Sequence, residues 1–341
     1  MRRGAIVQLL VLGLLAAGFA TAVALLFDWL PEPASRQAGR IDFLYWLATG
    51  ISIFVFAVVT AVMIYSIVHF RVRPGDDTDG PPIHGNTRLE IAWTLIPTLL
   101  VIVIGVASAI VLSQNSNAGS NPLIVKVTAQ QFSWQFAYPH NGNVRSAVLR
   151  LPLNRTVELQ METRDVIHSF WVPEFAQKQD VVPGLVTTLV ITPDRIGTYP
   201  VICTELCRLG HAVMRSEAIV MSAAGFEAWV KGNASAVSGG GAAAGKAVFA
   251  AQGCGACHTF KPAGATGKVG PGLDSLFKDA QLAGLSVPDF IRQSIVDPNA
   301  YVSPGFPKNV MPGNFGSSVP KSQLDALVNY LIPPTTKVVS P

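Results

Sequence analysis

Two long stretches without a charged residue, Phe43 to Ile67 and Ile91 to Leu112, limit the folds open to this chain more than anything else in it. About 20 apolar residues in helical form cross the hydrocarbon of a bilayer. In lipid a single segment can satisfy its own backbone N–H and C=O groups only as a helix. A transmembrane helical hairpin is therefore expected at residues 43–113. Hydrophobic residues form 50% of the chain against 13% charged, with a mean hydropathy of +0.39, which agrees with part of it lying in lipid.

The loop inside the hairpin, Arg71-Val-Arg73-Pro-Gly-Asp-Asp-Thr-Asp-Gly-Pro-Pro, is turn-rich, and Arg71, Arg73 and Arg88 flank the two helix ends. By the positive-inside rule it is cytoplasmic. A further uncharged run, Gly4 to Phe27, follows Arg2-Arg3 and contains a small-x-small site at Ala22-Val23-Ala24. Residues 1–27 therefore read as a cleaved signal peptide, or as an anchor, since the run is long enough to span. With Arg2 and Arg3 inside, residues 28–42 and everything from about 114 onward lie outside. Pro97 is expected to kink its helix or to be accommodated by neighbours. Glu90 begins that helix, where a carboxylate stabilises an N-terminus and where a proton path can also begin.

From 122 to 231 the pattern changes to short β-rich runs: Leu123–Thr128, Ala147–Leu151, Thr156–Met161, Leu185–Ile191, Thr198–Cys203 and Glu217–Met221. This spacing predicts an antiparallel sandwich or barrel. Cys203-Thr-Glu-Leu-Cys-Arg-Leu-Gly-His-Ala-Val-Met214 places two thiols, an imidazole and a thioether on one loop after a strand. Soft sulfur ligands beside imidazole favour copper, and a second thiol, Cys207, exceeds what a mononuclear blue-copper loop needs, so two thiolates can bridge two coppers. The competing reading is tetrahedral zinc, for which Met214 is a poor partner. His168, in Asp165-Val-Ile-His-Ser-Phe-Trp-Val-Pro173, is the candidate remote ligand, although a His among such neighbours also suits a packed core.

Gly232 to Ala244 reads as a flexible linker with a reach of about 20 Å. After it, Gly253-Cys254-Gly-Ala-Cys257-His258 carries the c-type haem attachment signal. Met311, the one methionine of this region, is the expected sixth ligand opposite His258, and Met/His ligation suits an electron carrier with no open position. Leu324, Leu327, Val328 and Leu331 predict a C-terminal helix that packs on its apolar face. All four cysteines are thus used in the two sites. The net charge of +4, without a Lys/Arg cluster, gives no sign of a nucleic-acid partner.

Together these motifs resemble subunit II of a haem–copper respiratory oxidase, of the caa type with a fused cytochrome c domain. The resemblance rests on Glu90-Ile-Ala-Trp-Thr-Leu-Ile-Pro97, the His168 segment, the Cys203–Met214 loop, and Cys254–His258 with Met311. It implies a multidomain membrane protein: the helical hairpin, an all-β cupredoxin-like domain at 122–231, the linker at 232–244 and an all-α class I cytochrome c domain at 245–335. It further implies a binuclear CuA centre bridged by Cys203 and Cys207. His168 and His211 would each bind one copper, and Met214 and the Glu205 carbonyl would complete the shell. The Glu205 side chain matches a residue binding magnesium or manganese shared with subunit I, and Glu90 matches the mouth of a proton-uptake path.

Expected partners are subunit I, which reduces oxygen and holds its own haem, subunit III, and an external donor such as cytochrome c or a quinol-oxidising complex. The expected setting is a bacterial inner membrane, with the copper and haem domains on the periplasmic face. Where the family commonly has Gln-Trp-Tyr-Trp, this chain reads Gln131-Phe132-Ser133-Trp134. The position that usually receives an electron from outside is therefore Phe132, with Trp134 two residues on, and an attached donor suggests that this route is relaxed or shifted. Two rivals remain: the copper subunit of a nitric oxide reductase, and a free membrane-anchored electron carrier or copper-delivery protein.

Overall fold

The computed structural model describes every residue except 1–2, 72–74, 76–79, 81, 83, 239–241, 314 and 333–341. Arg2, Arg73 and most of the loop on which the positive-inside reading rests lie outside the described residues, as do residues 333–335 of the expected cytochrome c domain. The chain divides into two compact units, Met1–Pro33 with Gly39–Asn115, and Ala34–Ala38 with Ser116–Pro341.

Three helices make up the first unit: α1 (Arg3–Leu26), α2 (Arg36–His69) and α3 (Thr87–Asn115). Each is long and apolar enough to cross a membrane. Gly13 of α1 lies against Ala57 and Ala61 of α2, small residues that let two helix backbones approach. Most of their bulky apolar side chains, Leu14, Phe54 and Leu99 among them, are exposed, as expected of surfaces that face lipid. Near one end of the bundle, Arg40 Nη1 donates to Oδ1 of the buried Asn115 at 3.0 Å, tying α2 to the end of α3. The last helix continues as one element through Pro97.

The second unit opens with ten strands: β1 (Leu123–Gln130), β2 (Ser133–Tyr138), β3 (Val144–Ser146), β4 (Leu149–Pro152), β5 (Val157–Thr163), β6 (His168–Val172), β7 (Gln177–Val181), β8 (Thr187–Ile191), β9 (Gly197–Cys203) and β10 (Arg215–Met221). They form two five-stranded sheets, ordered β3-β2-β1-β5-β8 and β4-β10-β9-β6-β7. The expectation of an antiparallel sandwich needs correction, because β1 pairs with β5, and β4 with β10, in parallel. Alternation has a period of two in either direction, so it cannot reveal that the chain crosses between sheets before returning beside an earlier strand. The inward face of β5, Val157, Leu159 and Met161, is fully buried beside Trp134, Phe136 and Phe170 in one core. Tyr138 is buried there too. Its hydroxyl donates to the Arg150 carbonyl at 2.9 Å and accepts from the Arg150 N–H at 2.7 Å.

Helices follow: α4 (Ala223–Ser238), α5 (Ala242–Ala251), α6 (Cys254–Cys257), α7 (Leu276–Ala283), α8 (Val287–Val296), α9 (Phe315–Ser318) and α10 (Lys321–Leu331). This corrects the coil expected over residues 232–244. α4 runs on to Ser238 and α5 starts at Ala242, while residues 239–241 lie outside the described residues. Small residues such as these suit either state, and here the helices on each side extend into the stretch. α10 crosses α5 where Gly245 leaves no room for a Cβ beside Ala326 and Tyr330. Leu324, Leu327, Val328 and Leu331 are all buried in a second core with Phe249, Phe290 and Ile291.

Candidate copper and haem sites

Strand pairing assembles the copper loop. β6 lies against β9 with Phe170 opposite Cys203, which brings His168, at the start of β6, beside the end of β9. The loop closes on itself through Cys203 N–H to the Met214 carbonyl at 3.2 Å, and is tied to β6 through Thr204 N–H to the Ser169 carbonyl at 3.0 Å. The five expected side-chain ligands then converge. The two sulfurs are 3.9 Å apart, Cys203 Sγ is 3.9 Å from His168 Nδ1, and Cys207 Sγ is 3.7 Å from His211 Nδ1 and 3.8 Å from Met214 Sδ. The Glu205 carbonyl is 3.3 Å from Cys203 Sγ. An ion about 2.3 Å from each sulfur can span the pair. His168, Cys203, Cys207 and Met214 are buried, whereas Glu205 is exposed.

The electrostatics favour a cation. Burial resists ionisation of Cys203, but hydrogen bonds from His168 and from backbone groups outweigh it and bring the thiol down to about 6. Cys207 is pushed up to about 12, by burial first and then by the neighbouring Cys203 charge. Without an ion the pair therefore holds one negative charge, and a bound cation is what lets both exist as thiolates. His168 Nε2 faces Asp165 Oδ1 at 2.8 Å, so an N–H donated there leaves Nδ1 as the ligand atom. Burial disfavours charge on His168, yet the hydrogen bond to Asp165 and the Cys203 sulfur raise its pKa overall. Burial likewise acts to raise Asp165, but hydrogen bonds from His168 and from the Gln131 and Val166 N–H groups leave it below the ordinary carboxylate value.

A second cavity is built around the Cys254–Cys257 turn. It is lined by Cys254, Cys257, His258 and Met311 together with apolar side chains such as Ile291 and Ile295. His258 Nδ1 lies 2.7 Å from the Pro271 carbonyl, which leaves Nε2 for a metal. Burial lowers the His258 pKa and outweighs the opposing carbonyl, so the ring is neutral, as a ligand must be. Paired thiols, a neutral imidazole and a thioether in one apolar cavity fit a covalently held haem.

Of the aromatic pair, Trp134 lies on the copper side and Phe132 touches both sites. Trp134 is buried, edge-on to His168 at 6.2 Å and to Phe170 at 5.6 Å between ring centroids. Phe132, also buried, lines the haem cavity, and its ring lies against Gly210 of the copper loop, where a Cβ would have no room. Glu90 belongs to the first unit, at the start of α3. Its Oε1 accepts from the Asn86 N–H at 3.1 Å while Asn86 Oδ1 accepts from the Leu89 N–H at 3.3 Å, a reciprocal cap for α3.

Residues 22–111 match the family described as cytochrome c oxidase subunit II, transmembrane domain, residues 143–223 match its periplasmic domain, and residues 242–332 match cytochrome c. Cytochrome c oxidase subunit 2 of Synechocystis sp. is 35% identical over 254 residues, covering 61% of this chain and 76% of that protein. The chain belongs to the cytochrome c oxidase subunit II family. Subunit 2 of Alkalihalophilus pseudofirmus is 30% identical over 313 residues, covering 88% of this chain and 89% of the relative. That of Bacillus subtilis is 29% identical over 324 residues, covering 88% and 90%. This member of the subunit II family carries a C-terminal cytochrome c domain, which implies haem c, and its subunit II domain implies copper. It is a membrane-bound subunit of an oxidoreductase, a haem–copper oxidase.

Two residues that carry the geometry of this subunit II were not singled out by motif reading. Asp165, three residues before His168, orients its ring. Gln131 donates its side-chain N–H to the Cys207 carbonyl at 2.7 Å and its backbone N–H to Asp165 Oδ2, also at 2.7 Å. Asp165 is close enough in sequence to His168 to have been suspected, whereas the Gln131–Cys207 contact joins segments 76 residues apart.

Proposed function

We propose that this subunit delivers electrons from an external donor, by way of a covalent haem and a binuclear copper centre, to the haem of subunit I in a proton-pumping oxidase that reduces oxygen to water. When bound, the haem and the copper pair would supply reversible one-electron chemistry. What remains falls to this chain. Cys254 and Cys257 would hold the haem covalently, with His258 and Met311 as the ligands offered to its iron. Cys203, Cys207, His168, His211, Met214 and the Glu205 carbonyl would together hold the copper pair. Trp134 packs edge-on against the buried His168 and is itself backed by Phe170.

One observation carries the reading: a soft donor set converges on the copper loop within the same compact unit as the haem cavity, and Phe132 touches both. That placement supports a route that keeps the Phe132 position, the reverse of the shift suggested by the sequence. Exposed Glu205 is the candidate for magnesium or manganese at the contact with subunit I. Glu90 is assigned to the mouth of a proton-uptake path, its cap contact being the competing role. The periplasmic face of a bacterial inner membrane, subunit III as a further partner, and cleavage near Ala24 complete the proposal.

Optical and paramagnetic-resonance spectra of the purified complex test it. A seven-line mixed-valence copper signal, c-type and a-type haem bands and oxygen consumption are expected. A chain without the copper signal, or a complex that consumes only nitric oxide, would overturn it. Phe132→Ala should slow haem-to-copper transfer by about tenfold or more, and no change would remove Phe132 from the route.

A further inference from the structure

We infer that Gln131 is a positioning residue that locks the Phe132 ring between the copper loop and the haem cavity. The inference rests on the electron-delivery reading above. Gln131 and Phe132 are the two residues between β1 and β2, held from behind by the Gln130–Ser133 and Ala129–Trp134 pairs. A two-residue tip of this kind has no ladder partner of its own, and its direction depends on what its side chains and N–H groups reach.

Here they reach the copper loop and the segment that leads into His168. The side-chain N–H of Gln131 satisfies the carbonyl of buried Cys207 at 2.7 Å. Its backbone N–H, also at 2.7 Å, meets one oxygen of Asp165, and the other oxygen faces His168 Nε2 at 2.8 Å. One residue is thereby linked to two expected copper ligands on different segments without being a ligand itself. The next residue, Phe132, lies against Gly210, and the absence of a side chain at Gly210 leaves the space its ring occupies. Ser133, on the far side of the ring in sequence, joins Phe132 in lining the cavity that contains His258 and Met311. The haem domain is itself pinned nearby: Gln135 Nε2 donates to Gln252 Oε1 at 3.1 Å, and Val310, beside Met311, packs on the sandwich core.

The test replaces the side chain by one of similar length that cannot donate, Gln131→Met, in the full chain within its complex. The haem is reduced by a flash and copper reduction is followed optically. Transfer should slow by about tenfold, since a misplacement near 1 Å can cost up to about 10²-fold in processes that depend on alignment. The copper resonance spectrum, haem bands and both midpoint potentials should stay as in the wild type. A rate within about twofold of wild type would overturn the inference, and so would a slow rate accompanied by a changed copper spectrum, which would place the effect in the copper site. A second measurement needs no variant. Hydrogen exchange of the Gln131 backbone amide, in metal-free and metal-loaded wild-type chain, should show strong protection, and exchange as fast as in an exposed turn would refute the bond to Asp165. Failure of the electron-delivery reading would be seen separately, as absent copper signal or absent transfer in the wild type.

Discussion

The copper loop and the haem cavity each use two cysteines and a following histidine, yet the two pairs behave in opposite ways. In the loop the thiols are unequal, Cys203 near 6 and Cys207 pushed up to about 12. In the cavity burial raises both, Cys254 to about 12. The loop thiols lie among hydrogen-bond donors and a histidine, and the cavity thiols among apolar side chains. The first arrangement prepares a thiolate for a cation. The second keeps two neutral thiols until they are used covalently. The same contrast holds for assembly: Cys254, Cys257 and His258 are brought together by a single helical turn, whereas the loop is incomplete until β6 supplies His168.

The sharpest way to break this comparison is reciprocal ligand removal. Cys203→Ser should abolish the copper signal, with an affinity loss beyond the roughly 100-fold seen for supporting residues, while leaving the haem bands intact, and Cys257→Ser should do the reverse. Loss of both signals in either variant would mean that the sites do not form independently. Next in size is Asp165→Asn, which retains shape but weakens the hold on the His168 ring. A fall of about 10- to 100-fold in copper affinity is expected by titration, with the haem spectrum unchanged.

A smaller effect follows from the unequal thiols of the copper-free chain. The Cys203 pKa lies below its unfolded value of 9.0, so its contribution is present in full above pH 9 and is lost as pH falls towards 6. The Cys207 pKa lies above the same value, so from pH 9 to 12 the unfolded chain loses that proton first and stability declines. His168, raised above its ordinary value, loses its own contribution as pH rises, so the expected signal is the difference between the unaltered chain and Cys203→Ser, whose urea midpoints should diverge between pH 6 and 9. A difference that does not change with pH would contradict the inequality. Smallest of all on copper is Glu205→Gln. Its carbonyl remains beside Cys203, so the copper spectrum should not change, while binding of magnesium or manganese at the proposed Glu205 site should drop.

Legibility in the sequence followed distance along the chain. Cys254–His258, the Cys203–Met214 loop and the apolar spans are contiguous and could be read directly, and the buried stripe of α10 appears at the expected four positions. Six of the ten strands were visible as β-branched runs. β2 was hidden because its first residues, Ser133 and Trp134, stood out as part of the Gln131–Trp134 electron-entry segment, and β7 because Gln177-Lys-Gln-Asp180 is polar and lies at a sheet edge. The 232–244 stretch misled for a different reason: small residues suit both a coil and a helix, and local composition cannot choose between them.

By itself the sequence determined which chemistries were possible: lipid-spanning helices from charge-free length, a soft-metal loop from clustered sulfur, and haem attachment from Cys-x-x-Cys-His. All three are short-range properties, set by residues within one helical turn, one loop or one span. Tertiary structure alone decided that β1 and β5 run parallel, that His168 meets the sulfur of Cys203, and that Gln131 reaches Cys207 with Phe132 lying between two sites. Those are contacts between segments tens of residues apart, produced when two sheets bury a common core, and no local pattern records which partner such burial will choose.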